Sequence, residues 1–314
     1  MSTALSTAAR RAHLIGIALV LVWVALSASK DVYLGHLEQG IDSNLLLVGC
    51  IAITLVFFNA TQLADRASYA AALRRCRGDI LYLNLFTAVA WASFFAALRF
   101  LEAAVAESFV VAVDPLATLF LARALRRESP VLPSELAASW AMLAAAAFLG
   151  IGVWYGQSSV GALRPADAAF GIACVLVCGI ANGGITVVSK RLADQRVTAS
   201  QVMASRFVLL LAGCLALVVS RGQPLGAVLD QLGAVLLVAG LGVIAPMFVL
   251  QKAIERAEPM TVVLVGSIVP VVAFGFQQLD SRLSFSWLSF LGVTAIFFVV
   301  IGGTYRRIRS GEAA

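Results

Sequence analysis

The sequence predicts an all-α polytopic membrane protein: ten transmembrane helices in two inverted five-helix repeats, with the N- and C-termini cytoplasmic. Three observations lead to this prediction: the apolar composition, the run of ten apolar segments, and the positions of the basic residues between them. Of the 314 residues, 61% are hydrophobic and only 13% are charged, whereas soluble domains average about 25% charged residues. One soluble core could not bury so much apolar surface, so lipid must surround most of the chain.

The apolar segments are long and unalternated, which favours helices over the strands of a membrane barrel. We number the predicted helices one to ten in chain order. They cover residues 14–34, 44–63, 80–98, 104–124, 135–155, 167–189, 201–220, 228–251, 260–279 and 285–304. Little chain remains for a separate catalytic domain. Arg10 and Arg11 precede the first segment, which we expect to be a retained helix rather than a cleaved signal peptide.

The basic residues give the predicted orientation. With a cytoplasmic N-terminus and one crossing per segment, 17 of the 23 basic residues fall on the cytoplasmic side and one, Arg206, falls within a span. The five on the outer side are Lys30, Arg99, Arg164, Arg221 and Arg282. Acidic residues divide about evenly, so the bias follows the positive-inside rule. This dispersed pattern argues against nucleic acid as a partner, despite the net charge of +6.

Two similar segments indicate an internal repeat. The sequences AVAESFVVAVDP and PMTVVLVGSIVP each begin a helix and end on a proline, Pro115 and Pro270 respectively. Lys30 closes helix one, and Lys190 closes helix six. An odd number of helices per repeat makes the second repeat enter the membrane from the opposite side, which is typical of secondary transporters. The predicted repeats are residues 1–158 and 159–314 of one integral membrane domain.

Several short segments, taken in order, carry a resemblance to a known family. They are Trp23 to Lys30, Ala97-Leu98 with Pro115, Ser189-Lys190-Arg191, Arg206, Gln251-Lys252-Ala253-Ile254, Pro270, and Phe290 to Gly303. With them the chain resembles the drug/metabolite transporter superfamily in its ten-helix EamA form. It departs from the usual pattern at Asp114, where an apolar residue is commoner, and at Arg126-Arg127-Glu128, where a Gly-Glu pair is commoner. The resemblance implies export of a metabolite, with helices one, three, four, six, eight and nine around a central cavity.

Glu107 and Asp114 both lie in helix four and are taken as the intramembrane acids; Asp114 is the one acidic residue more than four residues from either end of a predicted span. Seven residues make almost two turns, so they share a helix face with Val111 and Thr118. An ionised acid at the bilayer centre costs about 2.5–3.5 kcal/mol on insertion scales and usually faces the protein interior. Pro115 is expected to kink the helix beside Asp114. Asp114 is predicted to carry a proton or hold a cationic group. Glu107 either shares this role or caps the helix N-terminus.

The other candidate residues are basic, aromatic and polar side chains. Lys30 and Lys190 either form symmetry-related gates or snorkel to the interface, and Arg206 and Lys190 could attract an anion. Trp23 and Trp91 fall mid-span, away from the interfaces where Trp is usual; they either line a cavity or pack in the core. The amide side chains either bind substrate or bridge helices. They are Asn84, Asn182, Gln277 and Gln278.

Two glycines predict a close helix contact, and the few cysteines and histidines predict no metal site. Gly179 and Gly183 are four residues apart, a spacing that lets two membrane helices approach closely. None of the five cysteines forms a Cys-x-x-Cys pair, and there are only two histidines. Neither a metal site nor a disulfide framework is therefore expected.

The leading hypothesis is a multi-pass transporter of the plasma membrane, in bacteria the inner membrane, that exports a small metabolite, amino acid or drug-like solute by alternating access. We expect that the protein is not an enzyme and needs no cofactor. A proton is the candidate coupling ion. One alternative is a carrier of a phosphorylated metabolite or lipid head group that uses Lys30, Lys190 and Arg206. The other is a membrane-embedded lipid-modifying enzyme, whose candidate catalytic group is His36 in an outer loop with Asp31, Glu38 and Asp42 nearby. The expected partners are the solute and membrane lipids, and the expected state is a monomer or homodimer.

Overall fold

The computed structural model describes residues 2–33, 43–101, 103–126, 133–154, 164–277, 287, 290–292, 294–295 and 297–299. In this part the chain is 90% helical and has no strand. Eight helices there are long and apolar enough to cross a membrane, which confirms the class of all-α polytopic membrane protein. They coincide with predicted helices one to four and six to nine. Helices five and ten give shorter apolar stretches, Leu136–Phe148 and Phe290–Val299, so the count of ten stays a prediction.

The bounds of the helices follow the predicted order. Helices one to six are Ser2–Tyr33, Ser43–Thr61, Arg77–Ala97, Ala103–Arg126, Pro133–Trp154 and Pro165–Asp194. Helix seven consists of Ala199–Ser205 and Val208–Ser220. Helix eight consists of Leu232–Leu237, a π-helical stretch over Val238–Ile244, and Ala245–Arg256. Helix nine consists of Pro259–Gly266 and Val269–Gln277. Helices seven to nine are therefore the irregular ones.

The connection between helices two and three is helical, where the sequence predicted only a loop. A 3₁₀ turn over Gln62–Asp65 leads into an α-helix over Arg66–Arg75. Asp65 caps this helix, because its Oδ1 accepts a hydrogen bond from the Ser68 N–H at 3.2 Å. The segment is rich in alanine and arginine, which are good helix formers. A search for apolar segments missed it because it is polar.

The packing of the helices follows a regular scheme. Helix one packs against helices eight and nine, and helix six packs against helices three and four. Helix two packs against helix seven, and helix four also contacts helix nine. The buried apolar side chains form one core across helices three to six, a second across helices two, seven and eight, and a third across helices one, eight and nine. Helix three borders both the first core and the second.

The distribution of polarity suits lipid surroundings. Large apolar side chains lie exposed on the outside of the bundle; Val56 is 70% exposed and Phe120 is 62% exposed. Polar side chains such as Thr87 and Gln251 are fully buried inside it. In membrane proteins polar groups within spans face the interior of the bundle, because hydrocarbon offers them no hydrogen-bond partner.

Helix six approaches helix four closely at two glycines. A Cβ at Gly179 would lie 2.7 Å from Val113 Cβ, and a Cβ at Gly183 would lie 2.8 Å from the Thr118 backbone N. Both distances are shorter than an ordinary van der Waals contact, so only glycine permits this approach. The contact agrees with the prediction from the four-residue spacing.

We expect Gly183→Ala to destabilise the protein, because the added methyl group would press on the backbone of helix four rather than on the tip of a side chain. Overpacking of this kind costs about 1–3 kcal/mol. The measurement is thermal unfolding of the purified protein in detergent, followed by tryptophan fluorescence. Gly213→Ala is the matched control, since nothing lies within 4 Å of a Cβ at Gly213 in helix seven. Equal melting temperatures for the two variants would contradict the close approach.

Candidate functional site

Glu107 and Asp114 lie on an interior face of helix four. Both side chains are half-buried, and Val111 and Thr118 on the same face are buried. Thr118 Oγ1 donates a hydrogen bond to Asp114 Oδ1 at 3.1 Å. The helix continues through Pro115, which is also buried. The two acids are therefore turned toward neighbouring helices rather than toward lipid.

Helices three and six bring polar side chains to this face. Cys178 on helix six lies close enough to Glu107 and Asp114 to feel the charge of both carboxylates. It is also within hydrogen-bond reach of Ser93 on helix three. Asn182 Nδ2 donates a hydrogen bond to Cys178 Sγ at 3.8 Å. We call the whole group the acid cluster; its members are Ser93, Glu107, Asp114, Thr118, Cys178 and Asn182. Two carboxyl groups among hydroxyl, thiol and amide groups can hold a proton or contact a cationic group.

The glycines of helix six explain why the acid cluster forms at this level. Gly179 and Gly183 hold the backbone of helix six against helix four on either side of Asp114. Cys178 and Asn182 each precede one of these glycines, and they are one turn apart on helix six. A bulkier residue at either glycine would push both polar side chains away from the acids.

The two tryptophans singled out from the sequence lie at different interfaces. Trp91 on helix three packs against Phe95, with 6.0 Å between ring centroids, and edge-on against Phe207 of helix seven at 5.9 Å. It borders both the first and the second core. Trp23 on helix one packs against Gly266 of helix nine, where its Cζ3 lies 3.0 Å from the position of a Cβ. Trp91 therefore joins helix three to helix seven where the first and second cores meet.

Arg206 lies where helix seven is interrupted, and helix three maintains the interruption. Asn84 Nδ2 donates to the Ser205 carbonyl at 2.7 Å, and Asn84 Oδ1 accepts from the Leu209 N–H at 3.1 Å. In a regular helix this carbonyl and this N–H would bond to each other. The Asn84 amide is thus inserted into the helical hydrogen-bond ladder. Arg206 is 3% exposed, and its Nε donates to Thr87 Oγ1 on helix three at 3.2 Å.

Lys190 belongs to a set of ion pairs at the end of the bundle where helices four, six and eight finish and helix nine begins. Arg126 pairs with Glu258 at 2.7 Å and with Asp194 at 2.8 Å. Lys190 Nζ lies 3.9 Å from a carboxylate oxygen of Glu258 and donates to the Glu255 carbonyl at 3.4 Å. We call these five residues the ion-pair network. It ties the ends of four helices together.

Lys190 and Arg206 have different surroundings. The charge of Lys190 faces the carboxylate of Glu258. The described contacts of Arg206 are the Thr87 hydroxyl and the ring of Phe207, whose centroid lies 5.3 Å from Arg206 Cζ. The described partners of Lys190 and Arg206 are therefore different, and their joint role in attracting an anion stays a prediction.

The side chains of Lys30 and Gln277 lie outside the described residues, as does Gln278 altogether. Pro270 directly follows the first residue of the second part of helix nine, and the interruption before it falls at Ser267 and Ile268.

Sequence reasoning missed several residues of these sites. Cys178 reads as a small apolar residue, yet it lies one turn before Asn182, and that spacing could have placed it on the polar face. Arg126, Asp194 and Glu258 each read as ordinary charges between helices. Their pairing joins residues up to 132 positions apart, so no local signal in the sequence reveals it.

The fold and the sites define a polytopic α-helical membrane protein with buried ionisable groups inside its helix bundle. Residues 169–304 match the EamA-like transporter family, which confirms the predicted resemblance to the drug/metabolite transporter superfamily over the second half of the chain. Members of this family are transporters rather than enzymes.

Comparison with solved structures agrees with this fold. One crystal structure superposes with a TM-score of 0.66 and 19% sequence identity, covering 97% of this chain and 98% of the other. Identity at that level shows a shared fold alone. No curated protein matches the sequence.

Proposed function

We propose that the protein is a secondary transporter that exports a small metabolite across the plasma membrane by alternating access. The observation that carries the proposal is the acid cluster, which is built inside a bundle whose second half matches a transporter family. Ionisable groups within membrane spans are costly and mark ion or substrate pathways. Asp114, turned inward between helices four and six, is the proposed coupling residue, with Glu107 as its partner.

The packing scheme supports two inverted repeats, residues 1–158 and 159–314. A two-fold axis that exchanges them converts helix one into helix six and helix eight into helix three. The contact of helix one with helix eight then becomes the contact of helix six with helix three. In the same way, the contact of helices one and nine becomes that of helices six and four. Repeats related in this way offer one central site and two alternative gates.

The ion-pair network is the proposed inner gate. It joins Arg126, from the first repeat, to Asp194 and Glu258, from the second. In the predicted topology this end of the bundle faces the cytoplasm. Glu258 contacts both Arg126 and Lys190, so its carboxylate is the shared member of the gate. Lys30, at the corresponding position in the first repeat, is proposed for the outer gate.

The alternatives from the sequence gain less support. A carrier that binds an anion with Lys30, Lys190 and Arg206 together would need Lys190 free, and it faces Glu258 instead. A lipid-modifying enzyme would rest on His36, which lies outside the described residues.

We expect Asp114→Asn to abolish the pH dependence of transport, because asparagine keeps the shape and still accepts from Thr118 but cannot exchange a proton. The assay is uptake into proteoliposomes with an imposed pH gradient. Its solute is chosen from cationic, zwitterionic and phosphorylated compounds by thermal stabilisation of the wild-type protein. Asp167→Asn, in the first turn of helix six, is the control and should transport normally. If Asp114→Asn transports with an unchanged pH profile, Asp114 is not the coupling residue.

We expect Glu258→Gln to loosen the inner gate, because it removes the carboxylate that contacts two cations. The reporter is a cysteine introduced by Ser189→Cys into a chain whose five native cysteines have been replaced. Ser189 is fully buried beside Lys190, so maleimide should label it slowly and, after Glu258→Gln, several-fold faster. Asp230→Asn is the control, since Asp230 is exposed in the connection between helices seven and eight. Equal labelling rates with and without Glu258→Gln would rule out the gate.

A further inference from the structure

We propose that Arg206 binds a negatively charged group of the transported solute, a carboxylate or a phosphate, at the interruption of helix seven. This inference rests on the proposed transport function and adds a chemical class of substrate to it. The acid cluster alone would suit a proton or a cation, and Arg206 supplies a group of opposite sign in the same bundle.

The first step is the charge of Arg206. A guanidinium group stays protonated in proteins, so Arg206 cannot avoid burial of its charge by losing a proton. It is 3% exposed. Its contacts within the described part of the chain are a hydroxyl group and an aromatic ring, both uncharged. A buried charge without a counter-charge is strongly unfavourable, and an anion at Arg206 would relieve that cost.

The second step is the unused hydrogen-bonding capacity of two buried side chains on helices seven and eight. Arg206 Nη1 is buried and has no hydrogen-bond partner among the described residues. Both amide atoms of Gln251, a fully buried residue of helix eight, are also without a partner there. Buried polar groups are almost always paired in proteins. These two side chains therefore have donors to offer to a ligand.

The third step places Arg206 and Gln251 at a similar depth. The N–H of Ala199, at the start of helix seven, donates to the carboxylate of Glu255 near the end of helix eight. Along these antiparallel helices, Arg206 lies roughly 10 Å beyond Ala199 and Gln251 roughly 6 Å back from Glu255, at 1.5 Å per residue. The difference of about 4 Å is within the reach of an arginine side chain, whose guanidinium group can bind a carboxylate or phosphate with two hydrogen bonds.

The fourth step connects this site to the acid cluster. Helix three carries Thr87, which accepts a hydrogen bond from Arg206, and Ser93, which lies within hydrogen-bond reach of Cys178 of the acid cluster. Thr87 and Ser93 are six positions apart, roughly 9 Å along the helix, and they lie on different faces of it; Trp91, one turn from Thr87, lies on the Arg206 side. A solute whose anionic group is at Arg206 would have the Trp91 ring, which packs edge-on against Phe207, beside its apolar part. The substrate class is thus an organic anion with an apolar body, moved with proton exchange at Asp114.

The test measures anion binding by the purified full-length protein in a neutral detergent. Thermal unfolding is followed while acetate, inorganic phosphate or neutral acetamide is titrated at constant ionic strength. We expect a saturable rise in melting temperature with acetate or phosphate and none with acetamide. Arg206→Met should abolish the saturable rise, and Arg206→Lys should weaken binding about tenfold, because an ammonium group lacks the two-pronged geometry. Arg221→Gln, at the exposed end of helix seven, should behave like wild type.

The same variants distinguish binding from a structural role. If Arg206 serves binding, Arg206→Met without ligand should melt at or above the wild-type temperature, because an uncompensated buried charge has been removed. A large loss of stability in Arg206→Met, equal saturable shifts in wild type and Arg206→Met, or no shift with either anion in wild type would overturn the proposal.

Two further comparisons separate lipid binding from solute binding, and anion binding from transport. Nanodiscs of phosphatidylcholine and of phosphatidylglycerol test whether lipid is the source of the phosphate. Stabilisation that depends on Arg206 but comes only from phosphatidylglycerol would overturn assignment to a solute. Failure of anion binding with intact, Asp114-dependent transport would refute this inference alone. Anion binding without any transport would refute the transport function alone.

Discussion

The close contact of helices four and six is the constraint on which the acid cluster depends. An interior carboxyl group in a membrane span needs polar neighbours, because hydrocarbon supplies none. Gly179 and Gly183 remove the side chains that would hold the two backbones apart. Cys178 and Asn182 can then reach the face of Asp114. The proposed chemistry of helix four therefore rests on two residues of helix six that carry no functional group.

A second constraint concerns the backbone of helix seven. An interrupted helix within a membrane exposes a carbonyl and an N–H that must find partners inside the protein. Asn84 meets both needs with one side chain, and in doing so it fixes helix three against helix seven. The interruption leaves Arg206 beside Thr87 of helix three. One helix thus adjoins both the acid cluster and the buried cation.

Much of the fold and part of the site follow from the sequence. Hydropathy located the eight long apolar helices, and the spacing of the glycines predicted the contact of helices four and six. The interior face of Asp114 followed from its seven-residue spacing to Glu107. The helix over Arg66–Arg75 was missed because it is polar, and the partners of Arg126 were missed because they come from distant segments. Local patterns report which face of a helix is polar, whereas ion pairs depend on how helices meet.

The separation of charges inside the bundle gives the proposed transport a physical basis. The acid cluster lies between helices four and six, while Arg206 lies by helix seven and shares helix three with it. Opposite charges in direct contact would neutralise each other and leave little affinity for a ligand. Kept apart, the acids can exchange a proton while the guanidinium group holds an anion. The ion-pair network, in contrast, pairs its charges directly at the end of the bundle, as a gate requires and a binding site does not.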